Sequence, residues 1–379
     1  MIQRRSVMQG IAGIGLGAGA VALLPQRVAA QAGTVKFGFF GPFTGQFAAN
    51  GQRFREAGEL FLEQANATGG IAGRRLVVDF QDDRGDPLQS TNIAQRYVAD
   101  AEVVAAIGSF TSTSSMAAGQ VFAQAKMPQV SPTSSHPDYT KISPYQFRMP
   151  NTQDIVAELN AELMVNRLRT KRIALPYFQD DWGIFVAQAT KAEIEKRGGE
   201  VILSEAMTQQ ARDFRAMITK IRAARADGIF IASHYAPSAV FMQQLRQAGI
   251  DVPVGGADPL YNPEFLRLAG AAAEGLVCTT YFFPSDPSKA TFTEGYKAKY
   301  GREPDQWAAF AYDAIAIAAE GAKALLAAGR PLTREALRDA IDALPPYQGA
   351  TGVTEFVNGT PRKPMTLLVV RNGSYQLYT

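Results

Sequence analysis

The hydroxyl-rich loop at residues 108–115 is the first segment of this sequence whose residue types could bind a ligand. It follows a predicted strand and begins a predicted helix, and it carries Phe110 and Ser112. Side-chain hydroxyls and free backbone N–H groups at the positive end of a helix dipole favour an anion. The same serines and threonines are also common caps of a helix N-terminus, so helix capping is the alternative interpretation.

A second hydroxyl-rich loop, residues 131–137, follows the next predicted strand and carries Thr133 and Ser135. Open α/β sheets bind their ligands at the carboxyl ends of the strands, so the two loops should lie at the same edge of one sheet. Two adjacent loops of this kind could bind both oxygens of a carboxylate group.

Loops in the second half of the chain offer aromatic and acidic side chains after further predicted strands. Trp182 follows one strand, His234 and Tyr235 follow another, and Asp258 follows a third. Aromatic rings could cover a ligand at the mouth of a cleft, and a carboxylate could bind an ammonium group. Each also has a structural interpretation: Trp182 as a packing residue, His234 as a hydrogen-bonded loop residue, and Asp258, which precedes a proline, as a turn residue.

We expect no enzyme, cofactor or metal site from this sequence. It contains no nucleophile elbow, no phosphate-binding P-loop, no H-E-x-x-H zinc motif and no calcium-binding loop. The single cysteine, Cys278, cannot form an internal disulfide, and two histidines are too few for a Cys/His metal cluster. An exported enzyme that uses His234 and an aspartate is the alternative from another class, although no nucleophile accompanies that histidine in a recognisable arrangement.

Alternating strands and helices must position these loops. From residue 34 onward, short β-branched runs such as 103–107 alternate with amphipathic helical stretches such as 53–66, which predicts parallel sheets with helices on both faces. The pattern restarts near residue 150, and a Gly-Gly pair precedes a predicted strand in each half. The sequence therefore predicts an α/β fold with two lobes of like topology, ending in a hairpin around Asn372 and Gly373.

Length and composition agree with a two-lobed, water-soluble protein. The chain has 379 residues, of which 46% are hydrophobic and 19% charged, which excludes a mostly disordered chain and a polytopic membrane protein. Three arginines near the N-terminus, Arg4, Arg5 and Arg27, account for the formal net charge of +3. The rest of the chain is neutral and has no basic stripe, so nucleic acid is not expected as a partner.

Residues 1–30 are predicted to be a signal peptide. They combine a basic start, an apolar stretch at 10–24 and small residues suited to cleavage near Ala30. Arg4 and Arg5 resemble a twin-arginine signal, with an ordinary secretion signal as the alternative. Because no later segment has the ~20 apolar residues that a membrane span needs, we expect a soluble periplasmic protein once the leader is removed.

The mature chain resembles the Leu/Ile/Val-binding protein family, the type I periplasmic solute-binding proteins of ABC importers for branched-chain amino acids. The resemblance covers essentially the whole mature chain and rests on Gly41-Pro42-Phe43-Thr44-Gly45 with Gly51, the segment 66–73, Asp82-Asp83 with Asp86-Pro87, and Ser131-Pro132. It implies a non-catalytic, monomeric receptor that captures an amino acid, branched-chain or related, and delivers it to ABC permease subunits in the membrane.

The resemblance also implies how the ends of an amino acid would be bound. Ser112 and Ser135 would bind the ligand carboxylate through their hydroxyl and backbone N–H groups. The main-chain carbonyl of Thr133 and the carboxylate of Asp258 would bind its ammonium group. A ligand without an amine would leave Asp258 without a cationic partner.

Further residues enter through the resemblance as the cover and the side-chain pocket of the site. Trp182 and Tyr235 match aromatic residues that close over the ligand from the second lobe, and His234 is the alternative to Tyr235. Asn50 takes the place of a tryptophan that lines the side-chain pocket in the leucine-binding member, so the side-chain preference stays open. The family disulfide is missing from this chain.

Two Rossmann-like lobes joined by three crossovers are the fold that the resemblance implies. The N-terminal lobe would take residues 31–151 and 278–354, and the C-terminal lobe residues 152–277 and 355–379. A ligand between the lobes would favour their closed arrangement, which a permease could recognise. Two alternatives remain: a receptor for an amide, urea or an aliphatic or aromatic carboxylate, and a ligand-sensing domain that docks on a membrane receptor.

Overall fold

The computed structural model describes residues 33–208 and 210–379, so the predicted signal peptide at 1–30 lies outside the described residues. The first part of the chain forms β1 (Thr34–Gly41), α1 (Ala48–Ala67), β2 (Arg75–Asp82), α2 (Pro87–Ala99), β3 (Val103–Ile107), α3 (Ser112–Gln124), β4 (Gln129–Ser131) and β5 (Gln146–Arg148). These five strands make one parallel sheet in the order β2-β1-β3-β4-β5.

The middle of the chain repeats this alternation. It forms α4 (Gln153–Ala161), which continues as a π-helical segment (Glu162–Arg167), then β6 (Arg172–Phe178), α5 (Asp181–Lys196), β7 (Glu200–Met207), α6 (Arg215–Ala223), β8 (Gly228–Ile231), α7 (Tyr235–Gln247), β9 (Val254–Gly256), α8 (Pro263–Ala269) and β10 (Val277–Thr280). Short 3₁₀ turns at Asp258–Leu260 and Gly270–Ala273 flank α8.

The last part of the chain adds three helices, a separate small hairpin and two strands of the second sheet. After a 3₁₀ turn (Pro287–Lys289) it forms α9 (Ala290–Tyr300), α10 (Gln306–Ala327), α11 (Arg334–Asp342), the small hairpin β11 (Tyr347–Gly349) and β12 (Gly352–Thr354), and then β13 (Thr366–Arg371) and β14 (Ser374–Leu377). The second sheet has the order β14-β13-β10-β9-β8-β6-β7, with β13 and β14 antiparallel to their neighbours. The C-terminal hairpin predicted around Asn372 is confirmed.

The two sheets share one topology. In each, the first strand lies between the second and the third, and the fourth and fifth follow in order, which is the arrangement of a doubly wound α/β sheet. The prediction of an α/β fold built from two like units is therefore confirmed. The carboxyl ends of the parallel strands are the expected position of a ligand in each unit.

The expected lobe boundary between residues 277 and 278 falls inside β10. Cys278 pairs with Leu368 of β13, so the chain remains in the second sheet as far as Thr280. At the other expected boundary, 354/355, the chain still lies against the first sheet, because the Arg148 N–H donates to the Gly359 carbonyl at 2.9 Å. These contacts assign β10, as far as Thr280, to the second sheet and place Gly359 beside β5 of the first.

Helix α10 links the first apolar core to the strand ends. It is rich in alanine and packs with the fully buried Phe37 and Phe39 of β1. Strands of such a sheet are buried on both faces because helices cover both faces. Asp305 caps α10 by accepting from the backbone N–H groups of Trp307 and Ala308 at 3.0 and 3.1 Å. Among the described helices, none combines the length and apolarity that a membrane crossing requires.

Candidate functional site

A cavity lies where the loops after the strands of both sheets meet. It contains about 320 Å³ of space that protein atoms do not fill, part of which is open to solvent. Its lining comes from the loops after β3, β4, β6, β8 and β9 and from the start of α10: Phe110, Thr111, Ser112, Thr133, Ser135, Asp180, Trp182, His234, Asp258, Pro259 and Trp307. All the sequence-predicted site residues except Asn50 and Tyr235 are in this lining.

The loops after β3 and β4 lie side by side and are joined by a hydrogen bond. Thr133 Oγ1 donates to the Phe110 carbonyl at 2.7 Å. Thr111 caps α3, because its hydroxyl oxygen accepts from the Ser114 backbone N–H at 3.1 Å. The helix-capping interpretation is confirmed for Thr111, and the neighbouring Phe110 and Ser112 line the cavity.

The serines of these two loops retain hydrogen-bond donors for a ligand. Ser112 Oγ accepts from the His136 backbone N–H at 3.3 Å, and Ser135 Oγ accepts from Gln153 Nε2 at 2.8 Å. Each hydroxyl accepts in these bonds, so its own proton is available to donate. The first N–H groups of α3, those of Ser112 and Thr113, have no acceptor within the helix. This wall is therefore suited to an anionic group.

The loop after β6 forms the facing wall. Asp180 Oδ1 accepts from the Gly183 backbone N–H at 2.7 Å and so caps α5. A Cβ atom on Gly183 would lie 2.1 Å from the Phe178 carbonyl oxygen, so only glycine allows α5 to start this close to the end of β6. This close approach places Trp182, in the first turn of α5, in the cavity wall.

His234 is enclosed by aromatic rings from both walls. Its ring stacks on Trp182 with the centroids 5.1 Å apart and contacts Phe47 and Phe178 at 4.8 Å each and Phe110 at 5.7 Å. His234 is 5% exposed, and among the described residues neither of its ring nitrogens has a hydrogen-bond partner. No hydrogen bond to the described residues therefore supports the interpretation of His234 as a hydrogen-bonded loop residue.

Asp258 supplies a buried carboxylate at the end of β9. It is 8% exposed, and its Oδ1 has no hydrogen-bond partner within the described part of the chain. Burial raises the pKa of this carboxyl group to about 7. Asp258 also begins a 3₁₀ turn, and Gln306 Nε2 of α10 donates to its main-chain carbonyl at 2.7 Å. Its turn role and its place in the cavity are thus compatible.

The structure places Tyr235 and Asn50 outside the cavity lining. Tyr235 is the first residue of α7, and its hydroxyl donates across the cleft to the Gln46 carbonyl at 2.9 Å. Asn50 is buried in the first turn of α1. Their predicted contacts with a ligand remain predictions, and the hydroxyl of Tyr235 connects the two sides of the cleft.

Sequence reasoning missed Thr111, Asp180, Pro259 and Trp307 as lining residues. Asp180 had a local signal, because an aspartate just before a predicted helix is a common N-cap at the same strand end as Trp182. Trp307 had no such signal. It reaches the cavity from α10, far along the chain from the other lining residues, and only helix packing brings it there.

Comparison with known proteins relates this chain to a family of binding proteins. Residues 34–374 match a family model described as periplasmic binding protein. A Pseudomonas aeruginosa protein named leucine-, isoleucine-, valine-, threonine- and alanine-binding protein is 27% identical over 310 residues, which is 81% of this chain and 83% of that protein.

Solved structures show the same fold. A structure described as a putative branched-chain amino acid ABC transporter from Rhodospirillum rubrum is 38% identical, with a TM-score of 0.69 over 91% of this chain and 100% of that one. A branched-chain amino acid transporter substrate-binding protein from Streptococcus pneumoniae, solved in complex with isoleucine, is 25% identical, with a TM-score of 0.84 over 90% of this chain and 98% of that one.

Proposed function

The chain belongs to the periplasmic binding protein family, and from this we propose that it is the solute-binding protein of an ABC importer and captures an amino acid in the cavity. One observation carries the choice of ligand class. The cavity offers hydrogen-bond donors on one wall and a buried carboxylate, Asp258, on the other. An amino acid presents the complementary pair, a carboxylate and an ammonium group.

The proposed binding mode assigns a separate set of groups to each end of the ligand. Ser112 and Ser135 donate their hydroxyl protons, and Ser112 also its N–H group, to the ligand carboxylate. Asp258 and the Thr133 carbonyl accept from the ammonium group. Charge-assisted hydrogen bonds of this kind are the strong ones, and a buried carboxylate without a cation is costly. The buried carboxylate of Asp258 therefore disfavours ligands that carry a carboxylate and no amine.

We propose that the two sheets form the cores of two lobes that close around the ligand. Contacts across the cleft support this proposal: Tyr235 donates to Gln46, and the ring of Phe47 contacts both His234 and Phe178. A ligand that contacts both walls favours this arrangement over an open one, and a permease can recognise the difference. The protein acts as an exported monomer in the periplasm, without catalysis, after removal of its leader.

A thermal-shift panel tests the proposed function. We expect α-amino acids to raise the unfolding midpoint of the purified exported protein by several degrees, because a ligand that binds only the folded state stabilises it. Two sets of controls each lack one end of the ligand: carboxylic acids without the amine, and amino acid amides without the carboxylate. A shift produced only by acids without an amine would overturn the role of Asp258, and no shift with any α-amino acid would contradict the proposed function.

Closure predicts a role for the tyrosine hydroxyl across the cleft. We expect Tyr235→Phe to weaken ligand binding about 2–10-fold, because it removes one neutral hydrogen bond that exists only in the closed form. Calorimetric titration measures the change. Tyr97→Phe is the matched control: the Tyr97 hydroxyl donates to the Asp79 carbonyl at 2.7 Å within the first sheet, and its loss should leave affinity unaltered. Equal weakening in both variants would argue against closure through Tyr235.

A further inference from the structure

The cavity holds more polar groups than the two ends of an amino acid would use. Nδ1 and Nε2 of His234 and the indole Nε1 of Trp307 are buried, and none has a hydrogen-bond partner in residues 33–208 and 210–379. Both residues line the cavity beside Asp258. In the binding mode proposed above, the carboxylate and the ammonium group of the ligand leave all three nitrogens unpaired.

No group among the described residues pairs with these nitrogens. The nearest charged group to His234 is Asp180, whose Oδ2 lies 3.8 Å from Nε2, too far for a hydrogen bond, while its Oδ1 caps α5. Trp307 packs edge-on against Phe110 with the ring centroids 5.4 Å apart, and its N–H group can only donate. A hydrogen-bonding group on the ligand would supply the missing partners.

An aliphatic ligand side chain would make these groups costly. It would cover the His234 and Trp307 nitrogens with hydrocarbon and separate them from water without pairing them. Sites that contain unpaired buried polar groups discriminate strongly between a ligand that pairs them and an analogue of the same shape that does not. The unpaired nitrogens of His234 and Trp307 therefore favour a ligand with a polar side chain over one with a branched aliphatic side chain.

The charge and size of the cavity further restrict the chemical class of the ligand side chain. Its described lining contains two aspartates, Asp180 and Asp258, and no lysine or arginine, so an acidic ligand side chain would be repelled. The unfilled space of about 320 Å³, which includes space open to solvent, leaves little room for a long cationic side chain. We propose that the preferred ligand is an α-amino acid with a short, neutral side chain that ends in a hydroxyl or a carboxamide. His234 and Trp307 recognise this group by hydrogen bonding. The inference rests on the proposed function.

Pairs of ligands with nearly equal shape test the inference. Threonine and valine differ by a hydroxyl in place of a methyl group, and asparagine and leucine by a carboxamide in place of an isopropyl group. Calorimetric titration of the purified exported protein should give at least about tenfold tighter binding for the polar member of at least one pair. Valine and leucine binding as tightly as their polar partners would overturn the inference and leave the proposed function intact. No binding of any α-amino acid would overturn both.

Two variants test which residues recognise the side chain of the ligand. Trp307→Phe keeps an aromatic ring but removes the N–H donor, and His234→Phe removes both ring nitrogens in a surrounding that is already aromatic. Each should bring the threonine-to-valine and asparagine-to-leucine affinity ratios toward one. Ser238→Ala is the control, because the buried Ser238 hydroxyl also lacks a described partner but does not line the cavity. Ratios that stay at the wild-type value in both aromatic variants would overturn the assignment to these residues.

Discussion

Replacing Asp258 by asparagine is expected to weaken binding of an amino acid by about 10–100-fold, which corresponds to about 1–3 kcal/mol. The substitution keeps the shape of the side chain but removes the charge that pairs with the ligand ammonium group. The loss should be large because Asp258 is 8% exposed, so water screens the interaction little. Calorimetric titration of both proteins at pH 8 measures it. Equal affinity in the two proteins would contradict the ammonium role.

The pH dependence of binding is the second part of this prediction. Burial raises the pKa of Asp258 to about 7, so lowering the pH below 7 protonates the empty site. Because only the ionised carboxylate attracts an ammonium group, affinity should fall by up to about tenfold per pH unit below 7. Asp180 and His234 also line the cavity, and Cys278 and Tyr281 interact with Asp258 electrostatically. Asp258→Asn should flatten the profile, whereas an equally steep profile in that variant would overturn the assignment of this proton to Asp258.

Stability provides a control for the same variant. The folded-state pKa of Asp258 lies above its ordinary value of 3.8, so the folded protein binds the proton more tightly than the unfolded chain. Ionisation of this carboxyl group therefore lowers the stability of the unliganded fold as the pH rises from about 4 to about 7. Asp258→Asn should unfold at a higher denaturant concentration at pH 8 even though it binds more weakly. Such opposite effects would show that weaker binding does not result from misfolding.

Replacing Asp313 by alanine is expected to destabilise the fold by about 3–5 kcal/mol, the usual cost of leaving a buried charge unpaired. Asp313 lies in α10 and accepts from the backbone N–H groups of Ala350 and Thr351 at 2.7 and 2.8 Å. Its Oδ2 lies 3.9 Å from Nζ of Lys363, which precedes β13, and both side chains are fully buried. Burial lowers the pKa of Lys363 to about 8, so the lysine depends on this partner for its charge.

Denaturant unfolding monitored by circular dichroism measures this effect. The double variant Asp313→Ala/Lys363→Met is the matched control, because it removes both charges while keeping an unbranched side chain at 363. It should recover part of the lost stability, since no unpaired charge remains, although the N–H groups of Ala350 and Thr351 still lack their acceptor. A loss below about 1 kcal/mol in the single variant would show that the pair contributes little.

Much of the fold could be predicted because it depends on local patterns. The run of β-branched and small residues at 103–107 is β3, with the predicted limits, and the Asn-Gly pair joins β13 to β14. The start of helix α1 is predicted less accurately: the predicted range is 53–66, but the helix begins at Ala48, five residues earlier. Its first turn holds polar and small residues, and tertiary contacts extend the helix there. One such contact is the approach of Gly51 to the Pro42 carbonyl, where a Cβ would lie 2.0 Å away.

By itself the sequence determined the α/β alternation and the loops at the strand ends, and with them most of the residues that meet in the cavity. Residues close in the chain carry these signals, and parallel strands bring their carboxyl ends together in any such sheet. Only the tertiary structure decided that Trp307 enters the site, that Tyr235 bonds across the cleft to Gln46, and that His234 has no hydrogen-bond partner among the described residues. Each of these outcomes depends on how separate elements pack against one another, and packing between distant parts of a chain leaves no periodic signal in the sequence.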